Sequence, residues 1–343
     1  MTDAFSWPPI LHKLLAGQAL SEAEAADAMG EIMDGAATPA QIAGFMVALR
    51  AKGETTEEIV GLVRTMRTFA ARVEVGDDVL DTCGTGGDRA GTFNVSTVAA
   101  LVCAGAGAKV AKHGNRAASS RCGSADVLEE LGVVIDLPPS AVGDCIAEAG
   151  IGFCFAPLFH PATRHAIGPR RELGVATVFN FLGPLTNPAG ARRQALGVSD
   201  RRMLEKMVEV LGRLGSEHVL AFHGDSGLDE LATSGPSEIV ELKAGEVTRY
   251  RLDPAELGLE NAPLDSISGG TAEENAAHAK SVLAGQEGPR RDVVVLNAAA
   301  GLVAAGLAGD FPAGLETATR TIDSGAAAEA LDRLVETSNR LKP

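Results

Sequence analysis

The N-terminal part of the chain, from about Ile10 to Ala71, carries apolar positions at helical spacing and no strand pattern. In the last helix of this region the apolar positions are Ile59, Leu62, Val63 and Met66. Three hydroxyl residues mark helix starts. Ser21 with Glu24 and Thr38 with Gln41 have the capping-box pattern, and Thr55 stands before a fourth helix. The pattern predicts four helices and a small all-helical domain over residues 1–74.

Beyond residue 75 the pattern changes to short apolar runs that alternate with helical spacing. Strands are predicted over 78–80, 108–111, 151–155, 194–199 and 218–223, and helices over 125–131, 202–214, 271–283, 293–305 and 315–334 (broken at Ser324-Gly325). Such alternation is typical of parallel βαβ units. The polar alternating run Glu246–Leu252 suits an edge or antiparallel strand. We therefore predict an α/β fold, with a large α/β domain over 75–343 and a mostly parallel central sheet.

Residues 170–188 do not fit this alternation. The stretches 170–174 and 177–184 predict two short helices, with Arg170 and Arg171 at a helix start. We expect these helices to return to the helical domain and to close a cleft between the two parts of the chain.

Composition narrows the function classes. The 343 residues carry a net charge of −15, whereas binding to nucleic acid through its backbone needs clustered Lys and Arg. No nucleic-acid partner is therefore expected, although a local cradle or a bound metal can still attract an anionic small molecule. Aromatic residues make up only 4%, so the core must consist mainly of small aliphatic side chains, which suits helices packed on a parallel sheet.

Other features predict a cytoplasmic protein. The five cysteines are dispersed and never at C-x-x-C spacing, which favours buried thiols in a reducing compartment. The first residues lack a basic segment followed by an apolar one, so no signal peptide is predicted. The apolar run 293–308 contains Asn297 and is short for a membrane span, which favours a core helix.

A glycine-rich stretch, Asp81-Thr82-Cys83-Gly84-Thr85-Gly86-Gly87-Asp88, follows the first predicted strand and precedes an apolar helix. Glycines at this point allow positive φ and bring backbone N–H groups close to a ligand, and the helix start adds further N–H groups. Asn94, Ser96 and Thr97 add small polar side chains there. The stretch matches neither the dinucleotide nor the Walker pattern. It is interpreted as an anion cradle, with an ordinary capped βα turn as the alternative.

A second donor-rich cluster, Lys112-His113-Gly114-Asn115-Arg116, follows the next strand, and Ser119, Ser120 and Ser124 come after it. Ligands of open α/β sheets bind at the carboxyl ends of strands, so both clusters should face one crevice. Lys112 could then contact a phosphate. Arg170 could clamp a carboxylate with its planar guanidinium. The alternatives are a solvated basic turn and a surface arginine pair.

The loop Asp225-Ser226-Gly227-Leu228-Asp229-Glu230 follows the strand that ends at His223. Adjacent carboxylates suit a hard cation such as Mg²⁺, and Asp88 is a further acidic candidate, but paired acids also occur at solvated helix starts. His160 and His165 have no acidic neighbour in sequence and are interpreted as surface or helix-cap residues. Cys83 is expected to pack as a small apolar residue. The sequence offers no argument for a nucleophile with its base.

Together these stretches resemble the anthranilate phosphoribosyltransferase family over nearly the whole chain. The segments that carry the resemblance, in the family's order, are Gly84-Thr85-Gly86-Gly87-Asp88, Asn94-Val95-Ser96-Thr97, Lys112-His113-Gly114-Asn115, Gly183-Pro184-Leu185-Thr186-Asn187-Pro188 and Asp229-Glu230. The resemblance implies a helical domain plus an α/β domain, a homodimer, and transfer of a phosphoribosyl group from 5-phosphoribosyl 1-diphosphate (PRPP) to the amine of anthranilate with Mg²⁺.

The resemblance also implies roles for individual residues. The PRPP site would be lined by Gly84, Gly87, Asp88, Thr92, Asn94, Ser96, Thr97, Lys112, Asn115, Ser119, Ser120 and Ser124. Mg²⁺ would be held by Ser96, Asp229 and Glu230. Anthranilate would contact Gly84, Asn115 and Arg170, with His113 close by. Asp88, Lys112, His113 and Arg170 would act by charge and position, with no protein nucleophile or obligatory acid or base.

Two other functions remain open from the sequence. A pyrimidine-nucleoside phosphorylase shares the expected architecture, although the Lys112–Asn115 segment with Arg170 favours the transferase. A non-catalytic relative that binds nucleic acid is disfavoured by the charge of −15 and by the Asp229-Glu230 pair.

Overall fold

The computed structural model describes residues 5–76, 78–117 and 121–342, and within them the chain forms fifteen α-helices and seven β-strands. The helices are α1 (Trp7–Leu15), α2 (Glu22–Met33), α3 (Pro39–Lys52), α4 (Thr56–Thr68), α5 (Val95–Gly105), α6 (Ser124–Glu130), α7 (Pro139–Ala149), α8 (Ala156–Phe159), α9 (Arg164–Leu173), α10 (Phe179–Leu182), α11 (Arg201–Arg213), α12 (Ala272–Leu283), α13 (Pro289–Ala305), α14 (Phe311–Asp323) and α15 (Ala326–Arg340). The strands are β1 (Leu80–Gly84), β2 (Val110–Gly114), β3 (Ile151–Phe155), β4 (Arg193–Gly197), β5 (His218–Gly224), β6 (Ser237–Lys243) and β7 (Glu246–Leu252).

These strands form one sheet in the order β3-β2-β1-β4-β5-β6-β7. The first five are parallel, and β6 and β7 join antiparallel at one edge. The predicted α/β class is confirmed, and so is the edge position of the polar strand β7. The prediction omitted α7 and also β6, whose sequence is half polar.

The first two strands end later than predicted. Leu80–Gly84 replaces the predicted 78–80, and Val110–Gly114 replaces 108–111. Their C-terminal halves are polar but buried, because strand pairing on both sides satisfies the backbone and buried partners satisfy the side chains. Tertiary context therefore overrides the local pattern. Consequently Gly84 is the last residue of a strand, and the loop begins after it.

The N-terminal helices begin where the capping residues predict. Ser21, Thr38 and Thr55 each accept the N–H of the residue three positions on, and that residue's side chain accepts the cap's N–H. α2 and α4 cross closely at Gly61, where a Cβ would lie 2.2 Å from the carbonyl oxygen of Glu22. The N-terminal helices share one apolar core with α11 and one face of the sheet, while α5, α13 and α15 contribute to a core that includes the other face.

The segment before β4 packs on the N-terminal helices. α9 contacts α3 and α2, and α10 contacts α4. The half-buried Arg67, on α4, donates two hydrogen bonds from its guanidinium to the carbonyl oxygen of Leu185, at 2.9 and 2.7 Å. The expected helix start at Arg170 is wrong, because Arg170 lies in the last turn of α9. The helix begins six residues earlier, at Arg164, and Pro169 lies inside it.

Within the described residues, no helix is both long and apolar enough to span a membrane. The apolar run near residue 300 belongs to α13, whose residues from Val293 to Ala304 are all buried in the core. All five cysteines are buried.

Candidate functional site

A cleft of about 580 Å³ lies at the carboxyl ends of β1 and β2, with residues of α8, α9 and α10 among those that line it. Its lining residues are Cys83 to Arg89, Gly91, His113 to Ala117, Arg121, Gly123, Ala156, Arg170, Phe179, Asn180, Gly183 and Pro184. Both donor-rich clusters thus face one crevice. Of the residues expected to contact substrate, those that line it are Gly84, Gly87, Asp88, His113, Asn115 and Arg170.

The loop from Thr85 to Gly91 has the backbone expected of an anion cradle. Gly86 and Gly87 have φ of 68° and 83°, a region that side chains disfavour. Thr85 fixes the loop to the neighbouring strand, because its N–H donates to the carbonyl oxygen of Gly197 and its hydroxyl lies 3.0 Å from that of Ser199. The glycine conformations and these anchors leave backbone N–H groups of the loop along the cleft.

Asp229 lies directly behind this loop, in a space that two glycines create. Gly84 and Gly197 are cross-strand neighbours on β1 and β4. A Cβ on Gly84 would lie 2.4 Å from Asp229 Oδ2, and one on Gly197 would lie 1.6 Å from the Asp229 carbonyl oxygen. The Gly86 N–H donates to Asp229 Oδ2 at 2.6 Å. The absence of side chains at these two positions therefore determines where the carboxylate sits.

The carboxylates of Asp88, Asp229 and Glu230 are near enough to influence one another's charge. Burial, together with the neighbouring charge of Asp88, raises the pKa of Asp229 to about 7. Burial and the charge of Asp229 raise the pKa of Glu230 well above its usual value, although Ser96 N–H donates to it. Asp88 Oδ2 is buried without a hydrogen-bond partner in the described residues. Buried like charges of this kind are stabilised by a cation.

These residues fit a magnesium ion that is shared with a ligand. Among the described residues, no three His, Cys, Asp or Glu side chains converge tightly enough to form a complete protein cage. Mg²⁺ commonly keeps waters and is held by one or two carboxylates plus substrate phosphates, so a complete cage is not required. Ser96, at the start of α5, accepts from Lys112 Nζ at 3.5 Å and lies beside Glu230.

Lys112 does not line the cleft. Its ammonium group lies beneath the loop and donates to the carbonyl oxygen of Thr82 at 2.7 Å. Burial lowers the pKa of Lys112, and the nearby charges of Asp81 and Glu230 act in the opposite direction. The structure thus places Lys112 behind the carboxylates, where it offsets their charge and supports Ser96.

A histidine and an arginine face the other half of the cleft. Burial lowers the pKa of His113 to about 3 and that of His160 to about 4, and the two ring centroids are 5.1 Å apart. His160 is buried, so it is not a surface residue; it is the C-cap of α8, which confirms the other half of its interpretation. The Arg170 guanidinium lies 5.7 Å from the centroid of the Phe179 ring, and burial lowers its pKa. This half therefore offers a cation, a neutral imidazole and an aromatic surface.

The remaining candidates that the structure describes do not line the cleft. Asn94 is the N-cap residue of α5, but its side chain makes no capping bond; it donates to the carbonyl oxygen of Cys122 and accepts from Asn275. Thr97 is buried, and Thr92 forms an isolated bridge with Ser268. The other expected residues are Ser124, whose hydroxyl lies 3.3 Å from the carbonyl oxygen of Asn115, and Ser119 and Ser120, which lie outside the described residues.

Several lining residues were not assigned from the sequence. Gly183 and Pro184 were used only for the resemblance, and their placement depends on the contacts of α10 with α4. Phe179 and Asn180 follow from the same packing. Arg89 stands within the glycine-rich loop, and its charge was a signal that could have identified it.

The helical bundle and the α/β part of this chain each match a family model, and both models belong to one class of sugar-transferring enzymes. The chain matches the glycosyl transferase family models for the helical bundle domain, over residues 8–70, and for the a/b domain, over residues 76–328. The chain is 55% identical to an anthranilate phosphoribosyltransferase of Moorella thermoacetica, over 95% of this chain and 96% of that protein.

Solved structures agree with these sequence matches. Anthranilate phosphoribosyltransferase from Thermus thermophilus aligns with a TM-score of 0.90 at 48% identity, covering 96% of this chain and 99% of that one. The protein from Saccharomyces cerevisiae in complex with PRPP and Mg aligns with a TM-score of 0.89 at 27% identity, covering 97% and 98%. The chain belongs to the anthranilate phosphoribosyltransferase family.

Proposed function

We propose that this chain transfers the phosphoribosyl group of PRPP to the amine of anthranilate, in tryptophan biosynthesis. The products are N-(5-phosphoribosyl)anthranilate and diphosphate. The observation that carries the proposal is one cleft with two unlike halves. One half holds the anion loop against Asp229 and Glu230, and the other holds Arg170 and a neutral His113. An anionic sugar phosphate and an aromatic carboxylate are the ligands that these halves suit.

The diphosphate of PRPP binds along the loop in this proposal. Backbone N–H groups of the loop donate to phosphate oxygens, with Gly84, Gly87 and Asp88 at the cleft surface. Ser96, Asp229 and Glu230 would hold Mg²⁺, which neutralises charge on the departing diphosphate. The Gly86–Asp229 hydrogen bond fixes the carboxylate in position before substrate binds.

Anthranilate binds on the opposite side in this proposal. The Arg170 fork pairs with its carboxylate, and Phe179 supports the guanidinium from below. His113 stays neutral at pH 7, since burial lowers its pKa to about 3, and its Nε2 is buried without a hydrogen-bond partner in the described residues. Asn115 adds a donor at the same surface. These side chains align the amine with the anomeric carbon, and alignment supplies much of the rate.

No covalent enzyme intermediate is needed for this reaction. The amine is already a nucleophile, and the ribosyl carbon passes through an oxocarbenium-like state. Cys83 lines the cleft, but burial and the neighbouring charge of Asp81 raise the pKa of its thiol well above the usual value, so it stays protonated. In this proposal Asp88, Lys112, His113 and Arg170 therefore act through their charge and position.

The assembly and location are also part of the proposal. We divide the chain into a helical domain, 1–74 joined by the helices within about 170–188, and an α/β domain, 75–343. A homodimer through the helical part is supported by Leu15 and Val47, which are 75% and 45% exposed on α1 and α3. A cytoplasmic location is supported by the five dispersed, buried cysteines, which suit a reducing compartment.

The decisive experiment follows the loss of anthranilate fluorescence in the purified chain with PRPP and Mg²⁺. A loss that requires all three components, with diphosphate as the second product, is the expected result. Asp229→Asn, which removes a candidate metal ligand at nearly constant volume, serves as the matched control. Folded protein that leaves anthranilate unchanged would overturn the proposal. Phosphate-dependent cleavage of a pyrimidine nucleoside by the same sample would favour the phosphorylase instead.

A further inference from the structure

The mouth of the cleft is cationic, although the whole chain has a net charge of −15. Its lining residues include Arg89, Arg116, Arg121 and Arg170, against a single carboxylate, Asp88. A concave site lined by one sign of charge concentrates ligands of the opposite sign. Only Arg170 has a role in the function proposed above, so three of these arginines are unexplained.

Two of the three are already engaged by carboxylates. Arg116 donates to Glu129 at 2.7 Å, which draws its guanidinium towards α6. Arg121 lies 3.9 Å from Glu274. Arg89 is exposed, and it forms no ion pair with a residue in the described ranges. Its charge is therefore available to a ligand in the cleft.

The backbone at Arg89 is in a conformation that favours glycine. Its φ is 61°, and it stands between Gly87 and Gly91, which also have positive φ. In the described residues only Arg89 and Ala244 adopt positive φ without being glycine. A side chain in such a conformation is unfavourable for folding, so its retention within a ligand loop motivates a functional hypothesis.

We propose that Arg89 is a substrate-binding residue that pairs with the diphosphate group of PRPP. It directly follows Asp88, in the loop whose Gly86 N–H holds Asp229, so it lies on the diphosphate side of the cleft. A guanidinium binds phosphate oxygens through two parallel N–H groups. The inference rests on the proposed function and adds to it a phosphate contact made by a side chain rather than by the loop backbone.

The test compares Arg89→Gly with Ala244→Gly. Both changes place glycine at a positive φ, so the melting temperature of each variant should equal or exceed that of the parent. Only Arg89→Gly removes a charge from the cleft. We expect its kcat/KM for PRPP to fall about 10-fold, with KM for PRPP carrying most of the loss and KM for anthranilate nearly unchanged. Arg89→Lys, which keeps the charge without the fork, should restore part of the loss.

A binding measurement tests the contact of Arg89 with diphosphate independently of turnover. Titration calorimetry with inorganic diphosphate and Mg²⁺ should show weaker binding to Arg89→Gly, by about the same factor, and no change for Ala244→Gly. The difference between parent and variant should shrink as ionic strength rises from about 0.01 M to 1 M, because the Debye length falls from about 30 Å to 3 Å.

The outcomes distinguish the two levels of the proposal. A parent chain that does not consume anthranilate contradicts the transferase function. An active parent whose Arg89→Gly variant keeps the same KM for PRPP and the same affinity for diphosphate contradicts the role of Arg89 alone. An equal loss in KM for both substrates would also refute it, since that result indicates a general disturbance of the loop.

Discussion

Replacing Gly84 by Ala should displace the side chain of Asp229 while leaving its carboxylate group intact. The new Cβ would lie 2.4 Å from Asp229 Oδ2 and 3.0 Å from its Cγ. No positive φ is required at Gly84, so alanine fits the backbone of β1 and the conflict is purely steric. The Asp229 main chain cannot retreat towards β4, where Gly197 already approaches its carbonyl oxygen. The carboxylate must therefore rotate away.

The size of the effect follows from these distances. Van der Waals contact needs about 3.5 Å, so Oδ2 must move by about 1 Å. That movement breaks the 2.6 Å hydrogen bond from Gly86 N–H and displaces a candidate Mg²⁺ ligand. A misplacement of about 1 Å at a reacting site can cost about 10²-fold in rate. Overpacking of this kind costs stability by about 1–3 kcal/mol, which leaves the chain folded.

Initial rates of anthranilate consumption, measured across a Mg²⁺ series, test this reasoning. Gly84→Ala should lose about 10²-fold in rate and require more Mg²⁺. Gly30→Ala, within α2 and with open space at its Cβ, is the matched control and should behave as the parent. In an Asp229→Ala background, Gly84→Ala should lower the rate little further, because the carboxylate that the new Cβ would contact is absent. A Gly84→Ala variant with parental rate and Mg²⁺ dependence would refute the argument.

Three other changes probe other parts of the chain. Arg170→Ala should raise KM for anthranilate about 10- to 100-fold, and Arg170→Lys should raise it less. An unchanged KM would contradict the proposed pairing of Arg170 with the carboxylate of anthranilate. In the unfolded chain a histidine is protonated with a pKa near 6.5, whereas burial lowers the pKa to about 3 for His113 and about 4 for His160 in the folded chain. The unfolded chain therefore binds more protons as the pH falls below about 6.5, and the free energy of unfolding decreases. Urea titrations should show a loss of about 2 kcal/mol per histidine between about pH 6.5 and 5, and a His160→Gln variant with the same slope would contradict this. Glu58→Ala leaves the buried ammonium group of Lys52 without its partner at 2.9 Å, so it should lower the free energy of unfolding by about 3–5 kcal/mol. The folded fraction should keep parental activity. An unaltered melting curve would be inconsistent with this expectation.

Local sequence signals predicted the elements whose causes are themselves local. The capping residues Ser21, Thr38 and Thr55 placed the starts of α2, α3 and α4 because the bonds that they make span only three residues. The polar alternation of Glu246–Leu252 predicted an edge strand because an edge leaves one side of the strand uncovered. The glycines of the loop predicted positive φ, which Gly86 adopts.

Features that depend on distant partners could not be predicted in the same way. The sequence predicted that Lys112 follows a strand and faces the crevice. In the structure Lys112 lies within β2 and donates to the carbonyl oxygen of Thr82, a partner that the local sequence does not reveal. The burial of His160 could not be predicted either, because the ring that it contacts, that of His113, lies far away in sequence. The strand residues Asp81 and Thr82 are polar, and only the pairing of β1 with β2 and β4 shows that they belong to the sheet.

One buried carboxylate joins two motifs that are far apart in sequence. Asp81 accepts from Asn187 Nδ2 at 2.8 Å and from the His113 N–H at 3.3 Å. Asn187 Nδ2 also donates to the carbonyl oxygen of Ala111 at 2.8 Å. Burial raises the pKa of Asp81, and the charge of Lys112 acts in the opposite direction. The segment that carries Gly183 is therefore attached to β1 and β2, so the proposed anthranilate side of the cleft is anchored to the sheet.

The proposed phosphate side of the cleft has other attachments. Its loop is attached through Thr85 to β4 and through Gly86 to Asp229, whereas Gly87 and Arg89 have positive φ and lie exposed beyond these anchors. The contacts that fix this side are thus the same ones that position the candidate metal ligand. In the proposed function, a cation bound at Asp229 would also act on the loop that binds the phosphates, because Gly86 N–H donates to Asp229; metal binding and PRPP binding should therefore be coupled.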